Sequence, residues 1–174
     1  MNVIDRYLPE GSFENFKTYM LSGKIPWKFT QYKVNKNEST NSFQFTHTFY
    51  RLYMPPKGNP VNQDLSPLDN LLYKLQPYMV LKIKANITPR TAEPDKTDYH
   101  TDFESPLVHQ KTAIFYLNTN NGYTEFEGGE TVESIANRLV IFDSPLRHRG
   151  VSCTDEKYRL VLNLNYIEAP QLLV

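Results

Sequence analysis

The second half of the chain, from Tyr78 onward, is a succession of short runs in which apolar and polar residues alternate. In YMVLKIKANI, for example, leucine, isoleucine and alanine alternate with lysine and asparagine. A period of two places successive side chains on opposite faces of a strand. The dipeptides Asn121-Gly122 and Gly128-Gly129 are tight-turn signals between such runs. Many short strands joined by tight turns predict a sandwich or a jelly-roll barrel.

The first half adds helices to this β pattern. In GSFENFKTYMLSG, Phe13, Phe16 and Met20 recur at helical spacing, with Ser12 as the predicted N-cap and Gly23 as the predicted stop. Helices gathered on the N-terminal side are expected to cover one sheet.

A second helical pattern lies in SPLDNLLYKLQP. Its leucines recur at i, i+3, i+4 and i+7 from Leu68. Ser66 is the predicted cap, Pro67 suits the first helical position, and Pro77 ends the element. Between the two helices, NSFQFTHTFYRLY alternates and predicts a strand with a row of core aromatic residues from Phe43 to Phe49.

Length, composition and charge narrow the class of protein. The 174 residues suit one domain with a single core, and a hydrophobic fraction of 40% argues against disorder. A formal net charge of +0 without a Lys/Arg run argues against nucleic acid and against membrane surfaces. The single cysteine, Cys153, excludes an intrachain disulfide and a cysteine-rich zinc site. No secretory signal and no apolar run of about 20 residues is visible, so we expect a soluble cytoplasmic protein.

Two of the four histidines lie in a pattern that suits a metal. His100 and Asp102 form a His-x-Asp triplet at the start of a strand, and His148 follows the strand RLVIFD and its turn. Two imidazoles and one carboxylate are the ligand set of non-haem Fe(II) oxygenases, which leaves coordination positions open for a 2-oxo acid and dioxygen. We expect His109 to be a surface or substrate-lip residue and His47 to be a core or rim histidine.

A 2-oxo diacid would also need a partner for its distal carboxylate, and a guanidinium suits that group best. Arg159 alternates with the leucines of RLVLNLNY, so it points into the barrel if those leucines pack under the helices. The alternative is a surface ion pair with Asp155 or Glu156. Tyr116, in the strand TAIFYLN, could donate its hydroxyl to the same carboxylate or serve only in core packing.

These motifs occur together and in a recognisable order. The segments HTD, TAIFYLN, YTEFEGGE, NRLVIFDSPLRHRG and YRLVLNLNY span about half of the chain. In that order they resemble the Fe(II)/2-oxoglutarate-dependent dioxygenases, specifically the prolyl-4-hydroxylase-like group and its small, often virus-encoded members. The resemblance implies a mainly β protein of the α+β class. The implied fold is a double-stranded β-helix (a jelly-roll or cupin-like barrel) with helices packed on one sheet. It also implies a single domain over 1–174, with 1–77 as support and 78–167 as the jelly-roll core.

The resemblance assigns roles to individual residues. His100, Asp102 and His148 are implied as the iron ligands, Arg159 as the salt-bridge partner of 2-oxoglutarate, and Tyr116 as its hydrogen-bond partner. The tyrosine that the family usually carries on the strand before the metal triplet is absent, since that stretch reads KIKANI. Asn86 or Lys84 could take its place, although both also suit a solvated face.

The implied reaction is hydroxylation of a C–H bond with Fe(II), 2-oxoglutarate and O2, releasing succinate and CO2, with ascorbate as a possible reductant. The expected substrate is a prolyl residue in a peptide or protein, and a free amino acid or other small molecule is the alternative. The expected location is the cytoplasm, that of the host if the protein is virus-encoded. Two other classes stay open. One is a catalytically silent jelly-roll that binds metal or ligand. The other is a zinc hydrolase with Glu104 as base, in which Arg159 would have no task.

Overall fold

A computed structural model describes residues 1–31, 43–52, 60–103, 107 and 109–169. The helices are α1 (Glu10–Leu21) and α2 (Asp69–Leu75), and a 3₁₀ turn (Ser66–Leu68) precedes α2. The strands are β1 (Asn2–Ile4), β2 (Lys28–Thr30), β3 (Gln44–Arg51), β4 (Val61–Asn62), β5 (Met79–Pro89), β6 (Gln110–Tyr116), β7 (Tyr123–Phe126), β8 (Thr131–Glu133), β9 (Arg138–Asp143), β10 (His148–Val151) and β11 (Tyr158–Ile167).

The strands form a larger and a smaller antiparallel sheet. The larger has the order β1-β9-β6-β11-β5-β3-β2, with β4 paired to β3, and the smaller has the order β10-β7-β8. Two isolated bridges, Lys96↔Val151 and His100↔His148, add the segment before β6 to the free edge of β10. From β5 to β11 the chain therefore alternates between the sheets, which is the topology of a double-stranded β-helix and confirms the predicted fold. Within the described residues the two sheets stay separate and do not close into one barrel.

The helices cover the outer face of the larger sheet, as predicted. Phe115, at the centre of β6, is fully buried beneath Phe13 and Phe16 of α1, with ring centroids 6.0 and 6.3 Å away. Leu71 of α2 and Leu160 of β11 belong to the same cluster of buried side chains. Because side chains alternate along each strand, the residues between these core positions face the smaller sheet. One face of the larger sheet thus stabilises the fold and the other is free to bind ligands.

The predicted start of α1 is wrong. The helix begins at Glu10, its N-cap is Pro9, and Ser12 lies inside it. Pro9 has an extended backbone, and its carbonyl accepts the N–H of Phe13, so the first turn closes without a side-chain cap. The predicted stop is confirmed, because Gly23, just after the C-cap residue Ser22, has a φ of 75°.

The predicted start of α2 is also displaced. Ser66 lies in the 3₁₀ turn and does not act as the cap. The Asp64 carboxylate instead accepts the Ser66 N–H at 2.9 Å and its hydroxyl at 3.0 Å. The helix proper begins at Asp69, and Gln76 ends it in the left-handed conformation, one residue before the predicted stop at Pro77.

The aromatic row on β3 is only partly a core row. His47 and Phe49 are buried, with ring centroids 4.4 Å apart. Phe43 is 40% exposed, and with Phe45 and Phe29 it forms an aromatic cluster near the edge strand β2. Within the described ranges, no helix is both long and apolar enough to cross a membrane.

Candidate metal centre and adjoining cavity

Three potential metal ligands meet where the two sheets face each other. His100, Asp102 and His148 each offer one ligand atom, and these atoms all lie within 4.8 Å of one another. Backbone pairing brings the two histidines together. The N–H of His100 donates to the carbonyl of His148 at 3.0 Å, and the reverse bond measures 2.9 Å. The predicted triad therefore converges because residues 100 and 148 oppose each other on paired strands.

Hydrogen bonds orient both imidazole rings. Nδ1 of His100 lies 3.1 Å from the carbonyl of Asp98, and Nδ1 of His148 lies 3.1 Å from the carbonyl of Leu146. A carbonyl can only accept, so Nδ1 carries the proton on each ring and Nε2 keeps its lone pair. Burial lowers the pKa of His148 from its ordinary value and so keeps this ring neutral. Both histidines are thus prepared to ligate a cation through Nε2.

The third ligand, Asp102, is held from the larger sheet. Its Oδ2 accepts hydrogen bonds from Asn165 Nδ2 at 2.7 Å and from Thr112 Oγ1 at 3.3 Å. Burial by itself would raise the pKa of Asp102, but the charge of Lys82 and the group's other polar neighbours outweigh it and lower the pKa to about 2. The carboxylate is therefore ionised at neutral pH.

A cavity of about 590 Å³ extends from this triad between the sheets. Its walls are the inward-facing residues of β5 and β11 on one side and of β7 and β10 on the other. Asp102 is the one carboxylate among the described residues that line it, whereas Lys82, Lys84, Arg147 and Arg159 contribute cations. The cavity is therefore electropositive and suits anionic ligands.

Arg159 lies in the cavity wall at the end away from Asp102. It is 6% exposed, and its Nε and Nη2 donate to Ser134 Oγ at 2.8 Å and Thr124 Oγ1 at 3.0 Å. No carboxylate of the described chain pairs with it, so the alternative of a surface ion pair with Asp155 or Glu156 is wrong. Burial lowers the pKa of Arg159, yet a guanidinium stays charged at neutral pH. A buried cation without a counter-charge is costly, which favours an anionic ligand here.

Gly122 makes room for this arginine, whereas Gly150 lies beside it at an ordinary contact distance. A Cβ at Gly122 would lie 2.9 Å from Arg159 Cδ and 2.8 Å from the carbonyl oxygen of Val151. A Cβ at Gly150 would lie 3.6 Å from Arg159 Nη1. The sequence marks Gly122 only as a turn residue, but its lack of a side chain also sets the position of the guanidinium.

Tyr116 lies behind the cavity wall. It is fully buried, and its hydroxyl donates to Thr124 Oγ1 at 2.8 Å. Its ring centroid is 5.5 Å from Cζ of Arg159. The tyrosine therefore supports Thr124 and Arg159 from behind the cavity wall, a role that lies between the two alternatives of core packing and a direct hydrogen bond to the co-substrate.

The polar residues of β5 also line the cavity. Lys82, Lys84 and Asn86 all face inward, so the placement of Lys84 and Asn86 on a solvated face is wrong. The reason is that β3 and β11 flank β5 in the sheet and the smaller sheet covers its polar face. Asn86 pairs with Val161 in register, next to the row that holds Arg159.

The remaining histidines take no part in the cluster. His47 is 8% exposed and packs against Trp27 and Phe49, which confirms it as a core histidine. His109 is an exposed turn residue with a φ of 57° and does not line the cavity. Glu104, the predicted base of a zinc hydrolase, lies outside the described residues.

Several supporting residues went unnoticed in the sequence. Asn165 and Thr112 hold Asp102, whereas Thr124 and Ser134 hold Arg159. Because side chains alternate along a strand, Asn165 lies on the same face as Arg159. The alternation of the sequence therefore identifies Asn165 as a candidate residue of the site. Thr124 and Ser134 can be recognised as partners of Arg159 only once the pairing of the strands is known.

The fold and the site together define a class: the described chain has the double-stranded β-helix of the 2-oxoglutarate/Fe(II) oxygenases and a His-Asp-His cluster that could bind metal in its cavity. No family model and no curated protein matches the sequence. Solved structures do match. One is a 2OG-Fe(II) oxygenase family oxidoreductase from Burkholderia pseudomallei, with a TM-score of 0.63, 10% identity, and coverage of 95% of this chain and 84% of that one.

Two prolyl hydroxylases have a similar fold. The prolyl-4-hydroxylase of Pseudomonas putida has a TM-score of 0.62 at 14% identity, with 96% of this chain and 91% of that one covered. The prolyl hydroxylase of Trichoplax adhaerens, solved with a hypoxia inducible factor peptide, has a TM-score of 0.61 at 13% identity, with 96% and 83% covered. These likenesses establish the fold, and the chemistry has to be argued from the site.

Proposed function

We propose that the protein is an Fe(II)- and 2-oxoglutarate-dependent dioxygenase that hydroxylates a C–H bond, with a prolyl residue of a peptide or protein as substrate. One observation carries the proposal: a buried arginine with no carboxylate partner among the described residues shares one cavity with a convergent His-Asp-His cluster. The two features fit a co-substrate that has a metal-chelating 2-oxo acid at one end and a carboxylate at the other.

The donor set fits Fe(II). His100 and His148 would bind it through Nε2 and Asp102 through its free carboxylate oxygen, which gives the 2-His-1-carboxylate set with open positions. When bound, iron supplies the redox chemistry that couples O2 and the 2-oxo acid to C–H hydroxylation, with succinate and CO2 as products. The chain's own contribution is to fix the ligand orientations through the carbonyls of Asp98 and Leu146.

The far end of the cavity suits the distal carboxylate of 2-oxoglutarate. Thr124 Oγ1 already accepts from Tyr116 and Arg159, so its own hydroxyl proton is left to donate into the cavity. Arg159 supplies the charge and Thr124 this additional donor, while Tyr116 acts as a positioning residue. Asn86, on the adjacent register row, is proposed as a further polar contact for the co-substrate.

The spacing of these groups supports the assignment. On β7, Thr124 and Phe126 are two residues apart, and they pair with Gly150 and His148 on β10. Two residues along a strand cover roughly 6.6 Å, which a five-carbon diacid can bridge. The co-substrate would lie against the smaller sheet with its 2-oxo acid towards His148 and its free carboxylate at Arg159.

The presence of Asp102 favours hydroxylation over halogenation, because related halogenases lack this carboxylate and so make room for a halide. A prolyl substrate is supported by the fold shared with prolyl hydroxylases, one of them solved with a peptide. A free amino acid or other small molecule remains the alternative substrate. A zinc hydrolase is less well supported, because it gives the buried cation Arg159 no task.

The experiment is an anaerobic titration of the Fe(II)-loaded protein with 2-oxoglutarate. Chelation produces a visible charge-transfer band, and succinate is then measured in air with ascorbate and a proline-peptide array. His148→Ala should remove the band, and Arg159→Ala should weaken 2-oxoglutarate binding at least tenfold. His109→Ala, an exposed histidine outside the cavity, is the matched control and should behave like wild type. Absence of the band and of succinate in the wild-type protein contradicts the proposal.

A further inference from the structure

The floor of the cavity carries two lysines that the proposed reaction does not use. Lys82 and Lys84 lie on the inward face of β5, both half-buried. Among the described residues, neither ammonium forms a hydrogen bond or an ion pair. Burial, and next the charge of Lys82, lower the pKa of Lys84 to about 8, so the group is still mostly protonated at neutral pH. Asp102 is the one carboxylate among the described residues of the cavity, so the two adjacent ammonium groups share a single counter-charge, a costly arrangement that a further anion would relieve.

The balance of charges in the cavity favours the binding of a second anion. Fe(II) with Asp102 would carry one net positive charge, and Arg159 carries another. Bound 2-oxoglutarate, a dianion, neutralises these two. Arg147, at the cavity wall, lies 3.1 Å from Glu127. Among the described residues of the cavity, Lys82 and Lys84 therefore remain as two positive charges without a compensating anion after the co-substrate is bound.

The register separates these lysines from the co-substrate anchor. Arg159 pairs with Thr88, and Asn163 pairs with Lys84 four residues further along β5, which is about 13 Å at 3.3 Å per residue. Lys82 pairs with Asn165, the residue that donates to Asp102. The two lysines thus lie at the metal end of the larger sheet, where the second substrate has to present its C–H bond.

A neighbouring amide adds an unsatisfied acceptor to the same place. Asn163 lines the cavity beside Lys84, and its Oδ1 is buried without a hydrogen-bond partner among the described residues. A buried acceptor without a partner destabilises the site, and a ligand N–H that donates to it would remove that cost. A carboxylate with an N–H close by, as in an acidic residue of a peptide or an N-acyl amino acid, matches both features.

We propose that Lys82, Lys84 and Asn163 form an anion subsite that binds a carboxylate of the hydroxylated substrate. The inference rests on the proposed function and narrows its substrate to carboxylate-bearing molecules. The carboxylate comes either from an acidic side chain near the target residue of a peptide or from the free carboxyl group of a small acid. Lys82 and Lys84 determine specificity, and Asn163 orients the bound group.

Calorimetric titration of the protein saturated with 2-oxoglutarate and Mn(II), a redox-silent substitute for iron, tests the proposal. One probe pair is Ac-Ala-Pro-Glu-Ala-NH2 and its Gln counterpart. The other pair is N-acetyl-L-proline and N-acetyl-L-prolinamide. In at least one pair the carboxylate member should bind at least tenfold tighter than the neutral member, and the pair that does so identifies the source of the carboxylate. In Lys82→Met and in Lys84→Met the preference should fall below threefold, whereas the exposed Lys24→Met should retain it.

Three outcomes overturn the inference. Equal affinity within both pairs does so, and so does the absence of binding by all four probes. A loss of 2-oxoglutarate affinity of tenfold or more in Lys84→Met would also do so, because it would place this lysine in the co-substrate site. Failure of the proposed function has a different signature, since wild-type protein would then not bind 2-oxoglutarate at all.

Discussion

At the scale of single residues, the proposed co-substrate anchor depends on a position that carries no functional group. Gly122 leaves the space that the Arg159 side chain crosses, and a methyl group there would come within 2.9 Å of Cδ. We expect Gly122→Ala to displace the guanidinium and to raise the Kd for 2-oxoglutarate at least tenfold, with little effect on metal binding. Gly11→Ala is the matched control, because nothing lies within 4 Å of its Cβ position. Anaerobic titration of both variants checks this, and unchanged affinity in Gly122→Ala would refute it.

Lys84 provides a prediction about stability. Burial lowers its pKa from 10.5 to about 8, so the unfolded chain binds this proton more tightly than the folded one. Stability therefore rises with pH between about 8 and 10.5, and the full cost of the buried charge is present below that window. We expect Lys84→Met to increase the free energy of unfolding at pH 7 by up to about 3 kcal/mol.

Urea denaturation of wild type and Lys84→Met at several pH values measures this difference. The gain should shrink as the pH rises from 8 to 10.5, as the wild-type lysine loses its proton. Lys24→Met should change stability by less than about 0.5 kcal/mol. A Lys84→Met variant less stable than wild type at pH 7 would mean that the lysine stabilises the fold, contrary to the role proposed here.

At the scale of elements, β11 serves the core and the site with alternate residues. Leu160, Leu162 and Leu164 pack under the helices, while Arg159 and Asn165 lie on the opposite face, the first in the cavity wall and the second buried behind Asp102. Asn165 orients Asp102, so we expect Asn165→Leu to weaken Mn(II) or Co(II) binding by roughly 10–100-fold, the usual effect of losing such a partner. Calorimetric metal titration measures it. Asn163→Leu, a change on the same face of the same strand, should leave metal affinity within threefold, and equal losses in both variants would show a general effect on β11.

At the scale of the whole molecule, the site joins the two sheets. His100 and His148 belong to the smaller sheet and its bridged edge, whereas Asp102 is held by Asn165 and Thr112 of the larger sheet. Ligands that bind only the folded state stabilise it, by about 2.7 kcal/mol at a concentration of 100 Kd. For a chain of this length, that corresponds to an increase in Tm of about 5–10 °C.

We therefore expect Mn(II) to raise the Tm and 2-oxoglutarate to raise it further, as measured by differential scanning calorimetry, and EDTA to reverse both steps. Arg159→Ala should keep the increment from Mn(II) and lose the increment from 2-oxoglutarate. If 2-oxoglutarate raises the Tm of that variant as much as that of wild type, its carboxylate does not bind at Arg159.

Features that depend on the alternation of polar and apolar residues could mostly be predicted from the sequence. Period-two patterns located the long strands and separated Arg159 from the core leucines of β11, whereas the His-Asp-His set was predicted from its ligand types and from the family resemblance. Alternation does not show which polar face of a strand is covered by a second sheet, so it places Lys84 and Asn86 in solvent. The period-two patterns also missed the short strands β2 and β4, whose two or three residues are too few to show a period. The partners of Asp102 and Arg159 depend on cross-sheet register, which no local pattern contains.

The hydrogen bond from Asn165 to Asp102 joins residues 63 positions apart, and this separation bears on when the metal centre can form. During synthesis the His-x-Asp triplet leaves the ribosome well before its second histidine and before the strand that orients its carboxylate. Contacts so distant in sequence form late, because the chain entropy of closing the intervening loop must be lost first. A nascent chain that ends before β11 therefore carries all three candidate ligands but lacks the Asn165 side chain that orients Asp102, so we expect tight metal binding only after the last strand has joined the sheet.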